Sequence, residues 1–106
     1  MSTNAGAVLE ALGDPTRRAI FERIAARPSA VTQIANDLPV TRSAVSQHLK
    51  ILKAAGLVTD HAMGTRRIYA VDPAALAAIR EYFDSFWALS LQAFRAAAER
   101  EGQEAP

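Results

Sequence analysis

Between Thr41 and Ala55 the chain reads TRSAVSQHLKILKAA, and its side chains separate into two chemistries at helical spacing. At about 100° per residue, Arg42, Ser43, Ser46, Gln47, Lys50 and Lys53 fill one continuous arc, while Ala44, Val45, His48, Leu49, Ile51 and Leu52 fill the other. The polar arc offers hydroxyls, one amide and three cations with no carboxylate among them, a donor set suited to an anion. A second basic group follows at Arg66 and Arg67, behind Gly64 and Thr65. From Thr41 to Val71 the cations Arg42, Lys50, Lys53, Arg66 and Arg67 face a single acid, Asp60.

No catalytic constellation competes with these groups. His48 sits in the middle of the apolar arc and reads as a packed, hydrogen-bonded histidine rather than a ligand or a base. His61 follows Asp60 on a predicted strand, where adjacent side chains point to opposite faces, so the two are not placed to form a relay. Ser43 and Ser46 have no base within sequence reach. Glu10 and Asp14 read as a helix end and a cap, and Glu99, Glu101 and Glu104 as solvated residues. The expectation is no enzyme, no metal site and no cofactor.

Composition narrows the class. A chain of 106 residues, half of them apolar and with mean hydropathy near zero, predicts one globular domain with a single modest core. With no cysteine, disulfides and thiolate metal sites are excluded. The start MSTNAGAVLE lacks the basic and apolar regions of a signal peptide, and no apolar run approaches the roughly 20 residues of a membrane helix, so the expected location is cytoplasmic. Charge divides unevenly. Residues 1 to 71 hold nine Lys or Arg against five Asp or Glu, while residues 72 to 106 hold three against six.

The elements that must position the basic groups follow from caps and periods. Val8, Leu9 and Leu12 mark a short helix over about 5–12, with Gly13 as its left-handed end residue. Asp14 and Pro15 start a second helix, whose inner face is Ala19, Ile20, Phe21, Ile24 and Ala25 and whose wet face is Arg17, Arg18, Glu22 and Arg23. Thr32 caps a third helix that Pro39 closes, and Thr41 caps the fourth after a tight turn at Leu38–Thr41. Gly56 ends the fourth helix. A hairpin over about 57–71 turns at Met63 and Gly64, with Ile68, Tyr69 and Val71 on the return strand. Asp72 and Pro73 open a last helix over about 73–100, with 102–106 as a frayed tail. Its stripe of Leu76, Ile79, Phe83, Phe86, Trp87, Ser90, Phe94 and Ala97 outruns a domain of this size, which predicts burial against a second copy. The class is mainly α with a small β-hairpin, in the order α-α-α-α-β-β-α.

The motifs ALGDPTRRAIFERI and VTQIANDLPVTRSAVSQHLKILKAAGLV, followed by the Gly-Thr-Arg-Arg hairpin, resemble the ArsR/SmtB family of bacterial winged helix-turn-helix repressors, over about Val8 to Glu99. The resemblance implies a homodimer held by the first and last helices, here Val8, Leu9, Leu12, Phe83, Phe86, Trp87, Ser90 and Phe94. It also implies a helix-turn-helix over about 30–55 with double-stranded DNA as partner, and a wing over about 57–71. By position Thr41, Arg42, Ser43, Ser46, Gln47 and Lys50 fall where the family meets DNA. Gln47 suits an adenine edge, Arg42 a guanine or a phosphate, and Ser43 and Ser46 either. Lys50 and Lys53 suit phosphates, and Thr65, Arg66 and Arg67 serve the wing.

Family members that sense thiophilic metals use cysteines in the third helix, where this chain has Val31–Asn36. Another family site uses Asp and His of paired last helices, and here the last helix has Asp84 and no histidine. The expectation is a metal-independent regulator whose effector the sequence does not reveal. The rival readings are a sensor with a small molecule or metal between subunits, the aromatic stripe lining its pocket, and a winged-helix adaptor that binds protein instead of DNA.

Overall fold

Asn4 opens the first helix by accepting the Gly6 N–H on its side-chain oxygen at 2.8 Å, and three more side chains start helices in the same way. The computed structural model describes residues 4–104. Its elements are α1 Ala5–Ala11, α2 Pro15–Ala26, α3 Val31–Asp37, α4 Arg42–Ala54, β1 Val58–Met63, β2 Arg66–Val71 and α5 Pro73–Glu104, the expected order. Asp14 Oδ1 accepts from the amides of Thr16 at 2.8 Å and Arg17 at 3.0 Å. The Arg17 amide is the main reason the Asp14 carboxyl lies below its ordinary value. Thr41 Oγ1 accepts from Ala44 at 3.1 Å and Asp72 Oδ1 from Ala74 at 3.0 Å. Each leaves fewer orphan amides at a helix start.

Three local expectations are corrected. Gly13 has no positive φ; among the described residues only Gly56 and Gly64 do. The end of α1 is instead served by two arginines, Arg17 Nε donating to Ala11 O at 2.8 Å and Arg18 Nε to Leu12 O at 3.0 Å, so these side chains tie α2 to α1. Ala30, not Thr32, precedes α3; its N–H donates to Gln33 Oε1 at 2.8 Å, and Thr32 lies inside the helix. Arg23 is not on a wet face. Its side chain is only 13% exposed, with Nε on Asp37 Oδ2 at 2.7 Å and Nη1 on Ser29 Oγ at 2.9 Å, which joins α2 to the end of α3.

The core lies where α2, α3 and α4 meet. Ile20, Ile24, Ile34, Val45, Leu49 and Leu52 are fully or almost fully buried, with Leu57 and Val58 sealing the edge under the hairpin. Burial of this kind contributes about 1.5–3 kcal/mol per large apolar side chain. Val8 is fully enclosed in this core, and Leu12 packs against it. Val8 therefore faces its own chain and is not available to a partner, contrary to the interface expected for it.

β1 and β2 pair antiparallel, from Val58 opposite Val71 to Met63 opposite Arg66. The turn falls at Gly64 and Thr65, one residue later than expected. Gly64 has φ +64°, which suits glycine at the first central position of a two-residue hairpin. Ser29 adds a single bridge to Tyr69, giving the hairpin a third edge that the sequence did not announce.

Only the foot of α5 belongs to the body. Ala75 is buried and Ile79 partly so, while from Arg80 to Gln103 every residue but Ala97 is exposed. At 1.5 Å per residue the helix is about 48 Å long, and the molecule's longest dimension is 73 Å. Gly102 does not break α5, which continues to Glu104; the last two residues of the tail expected to fray lie outside the described residues.

Candidate nucleic-acid interface

Helix α4 is anchored from one side and open on the other. Val45, Leu49 and Leu52 are buried, whereas Arg42, Ser43, Ser46, Gln47, Lys50 and Lys53 are exposed. The Thr41 hydroxyl accepts the Ala44 amide at the helix start, which leaves its own proton free to donate outward. Ile51, assigned to the inner arc, is 44% exposed at its margin.

His48 is half-buried, as its place on the inner arc requires, but its Nδ1 is enclosed without a hydrogen-bond partner. The hydrogen-bonded histidine expected from the sequence is thus corrected at that atom. Asp14 lies near enough for the His48 ring to contribute to the lowering of the Asp14 carboxyl.

Helix α4 ends in a left-handed turn with two closing bonds. Gly56 has φ +84°, its N–H donates to Lys53 O at 3.0 Å, and the Leu57 N–H donates to Leu52 O at 2.9 Å. This pairing satisfies the last carbonyls and turns the chain sharply into β1. The wing consequently lies beside the end of the helix that carries the polar arc.

Not all the cations of this surface are free. Asp60 Oδ1 binds Lys53 Nζ at 2.6 Å and Asp60 Oδ2 binds Arg67 Nε at 2.6 Å, with the Asp60 side chain 6% exposed. The Lys53 bond first, and then the Arg67 bond, lower the Asp60 carboxyl from 3.8 to about 2. Arg67 is raised in turn by the same carboxylate. Among the described residues Arg42, Lys50 and Arg66 enter no ion pair. The sequence assigned Lys53 to phosphate contact and Arg67 to the wing, and it counted Asp60 against the five cations without pairing it to any of them. The signal that could have revealed the pairing is that Asp60 and Arg67 fall on one face of the hairpin once its register is known.

Register also separates the two wing arginines. Arg67 stands opposite Ala62 and Arg66 opposite Met63, so they project from opposite faces. Thr65 is exposed at the turn and His61 on the face opposite Asp60. A cleft of about 290 Å³ opens between the start of α3 and β2, walled by Val31, Thr32, Arg66, Arg67 and Tyr69.

Comparison with known proteins accords with this geometry. A helix-turn-helix domain model matches residues 12–61. The chain is 53% identical over 95 residues to the HTH-type transcriptional regulator Rv2034 of Mycobacterium tuberculosis, an alignment covering 90% of this chain and 89% of that one. The chain belongs to the ArsR/SmtB family of transcriptional regulators. Among solved structures, an ArsR-like transcriptional regulator from Rhodococcus sp. RHA1 superposes with a TM-score of 0.79 at 28% identity, covering 96% of this chain and 94% of that one. The homodimeric winged helix-turn-helix DNA-binding domain of Mb0332 from Mycobacterium bovis superposes with a TM-score of 0.61 at 27% identity, covering 80% and 76%. This family regulates transcription, and its relatives are regulators rather than enzymes.

The remaining expected site residues lie on α1 and α5. Leu9 is half-buried beside the enclosed Val8. Phe83, Phe86, Trp87, Ser90 and Phe94 are all exposed, Trp87 to 67% and Phe94 to 73%. Tyr82 stacks edge-on to Phe86 with ring centroids 4.8 Å apart. Among the described residues there is no group of three or more metal-ligating side chains, and no helix is long and apolar enough to cross a membrane.

Proposed function

We propose that the chain is one winged helix-turn-helix domain that works in the cytoplasm as a homodimeric repressor, occupying inverted-repeat operator DNA and blocking access to a promoter. The observation that carries this reading is the outward face of α4. Arg42, Ser43, Ser46, Gln47 and Lys50 are exposed together on a helix whose other face is bolted into the core, without a carboxylate between them. Such a face meets the donors and acceptors of a major groove, Gln47 and Arg42 reading base edges and Lys50 a phosphate. Arg66 and Thr65 at the wing meet the flanking backbone.

The naked length of α5 supports the dimer. Eight large apolar side chains exposed along α5 from Leu76 to Phe94 are a surface that a second chain covers. A second copy presents the same stripe, and a two-fold pairing sets two α4 helices on one face of the DNA, with half-sites about one helical turn apart. The homodimeric Mb0332 domain is a structural neighbour in keeping with this arrangement. The repressor sign rests on the family resemblance.

Binding is tested by titrating the chain against duplexes selected from the source genome at several salt concentrations. If six to ten phosphates are neutralised, affinity falls by about 10³ to 10⁵ between 50 and 200 mM salt. A flat response refutes the reading.

A further inference from the structure

Asp60 is the one carboxylate between Thr41 and Val71, and it sits between two cations that the DNA reading would otherwise place on phosphates. Its three-group cluster joins three elements: Lys53 in the last turn of α4, Asp60 in β1 and Arg67 in β2. Among the described residues no other ion pair links α4 to the hairpin. The covalent link between the same elements is the short turn at Gly56, and the Asp72 N–H bond to Leu57 O at 2.9 Å fastens the far end of the hairpin. Beside that turn, the Asp72 bond and the paired backbone bonds of Ser29 and Tyr69, the side-chain link that holds the wing to the end of α4 runs through one nearly buried carboxylate.

That carboxylate also changes the charge the surface presents. Lys53 and Arg67 alone carry two positive charges, and with Asp60 the cluster carries one. Phosphate attraction is the sequence-independent part of DNA binding, whereas selectivity is the ratio of specific to nonspecific affinity. An acid placed here lowers the first and, by fixing the wing against the helix, protects the second. We infer that Asp60 is a positioning residue for DNA selectivity, holding the wing and the end of α4 in one arrangement while withholding one unit of charge per protomer from nonspecific phosphate attraction. The inference rests on the DNA-binding reading proposed above.

The test uses the full chain, a duplex selected by the wild-type protein and an unrelated duplex of equal length. Asp60→Asn keeps the shape, removes the charge and leaves an amide that cannot accept from Lys53 and Arg67 alike. The salt dependence of its affinity, plotted as log K against log salt, becomes steeper by about 2 for a dimer, at about 0.9 per added phosphate contact. Its preference for the selected duplex falls about tenfold, the worth of roughly one base-pair contact. A steeper salt response with preference unchanged overturns the inference, since Asp60 then acts as a charge alone. Equal loss on both duplexes with an unchanged salt response also overturns it, since the role is then only structural.

If circular dichroism shows that Asp60→Asn does not fold, Lys53→Met decides. It removes the ion pair between α4 and the hairpin, and the inference requires the preference to fall while the salt response becomes shallower; an unchanged preference overturns it. Wild-type chain that binds no DNA in a salt-dependent way refutes the function itself, an outcome distinct from any of these.

Discussion

Ser29 and Tyr69 exchange both of their backbone hydrogen bonds, the Ser29 N–H donating to Tyr69 O at 3.1 Å and the Tyr69 N–H to Ser29 O at 2.9 Å. The segment before α3 is thereby sewn to the return strand of the wing, so the helix-turn-helix and the hairpin share a seam. Ser29 is fully buried, and its hydroxyl donates to Arg27 O at 2.9 Å while accepting from Arg23 Nη1. Ser29→Ala removes an acceptor from a guanidinium whose Nη2 is already enclosed without a partner. The expected loss is about 1–3 kcal/mol of stability, read from urea unfolding; an unchanged midpoint would show that the hydroxyl is dispensable.

Gln47 and Lys50 are exposed on the same face of α4 but differ in what they can read. Gln47→Ala relaxes preference at one base pair by about 1–3 kcal/mol and leaves other positions alone. Lys50→Ala weakens all sequences alike and makes the salt dependence shallower by about 1 per site. Selection from randomised DNA with each variant separates the two roles, and uniform loss in both would abolish the distinction.

Trp87 and Phe94 lie one above the other on the exposed stripe of α5. Phe94→Glu places a charge where a partner helix would bury an aromatic ring. Sedimentation is expected to show a monomer at concentrations where the wild type is a dimer, with Trp87 emission shifted to the red. Wild-type emission of fully solvated tryptophan at high concentration would instead mean that the stripe stays uncovered.

Acid should loosen the wing. The Asp60 carboxyl is depressed to about 2 in the folded chain, chiefly by its bond to Lys53, from an ordinary 3.8. A depressed carboxyl stabilises the folded form fully above its unfolded value and loses that contribution as pH falls through its folded value. Stability is therefore expected to drop as pH falls from about 4 to about 2, with Asp14 adding a drop of the same sign. Thermal melts of Asp60→Asn should lack the Asp60 share of that slope, and an identical acid limb would show that the pairing adds nothing to folding.

Gly56 has φ +84° at the hinge between α4 and β1. Gly56→Ala must place a Cβ in a left-handed conformation, at a cost of about 1–2 kcal/mol. Chemical unfolding measures this directly, and a neutral result would require the turn to have been rebuilt without the left-handed residue.

The sequence by itself determined the features set by near neighbours. Asp14–Pro15, Thr41, Gly56 and Asp72–Pro73 mark boundaries because a cap or a left-handed residue acts within one turn of chain, and the two arcs of α4 follow from helical spacing alone. The same locality explains the misses. Thr32 offered a cap by type, yet Ala30 precedes α3 because Gln33 supplies the bond from inside the helix. Arg17, Arg18 and Arg23 look like solvated charges until the helices pack and bring orphan carbonyls, Ser29 and Asp37 to them.

Only the tertiary structure decided which apolar residues of α1 are spent inside the chain, because Val8 is enclosed only when α4 and α5 pack against α1. It also decided which basic residues stay free. A count of charges along the chain cannot show that Asp60 engages Lys53 and Arg67 and that, among the described residues, Arg42, Lys50 and Arg66 enter no ion pair, since that depends on the hairpin register and on the angle at which the wing leaves α4.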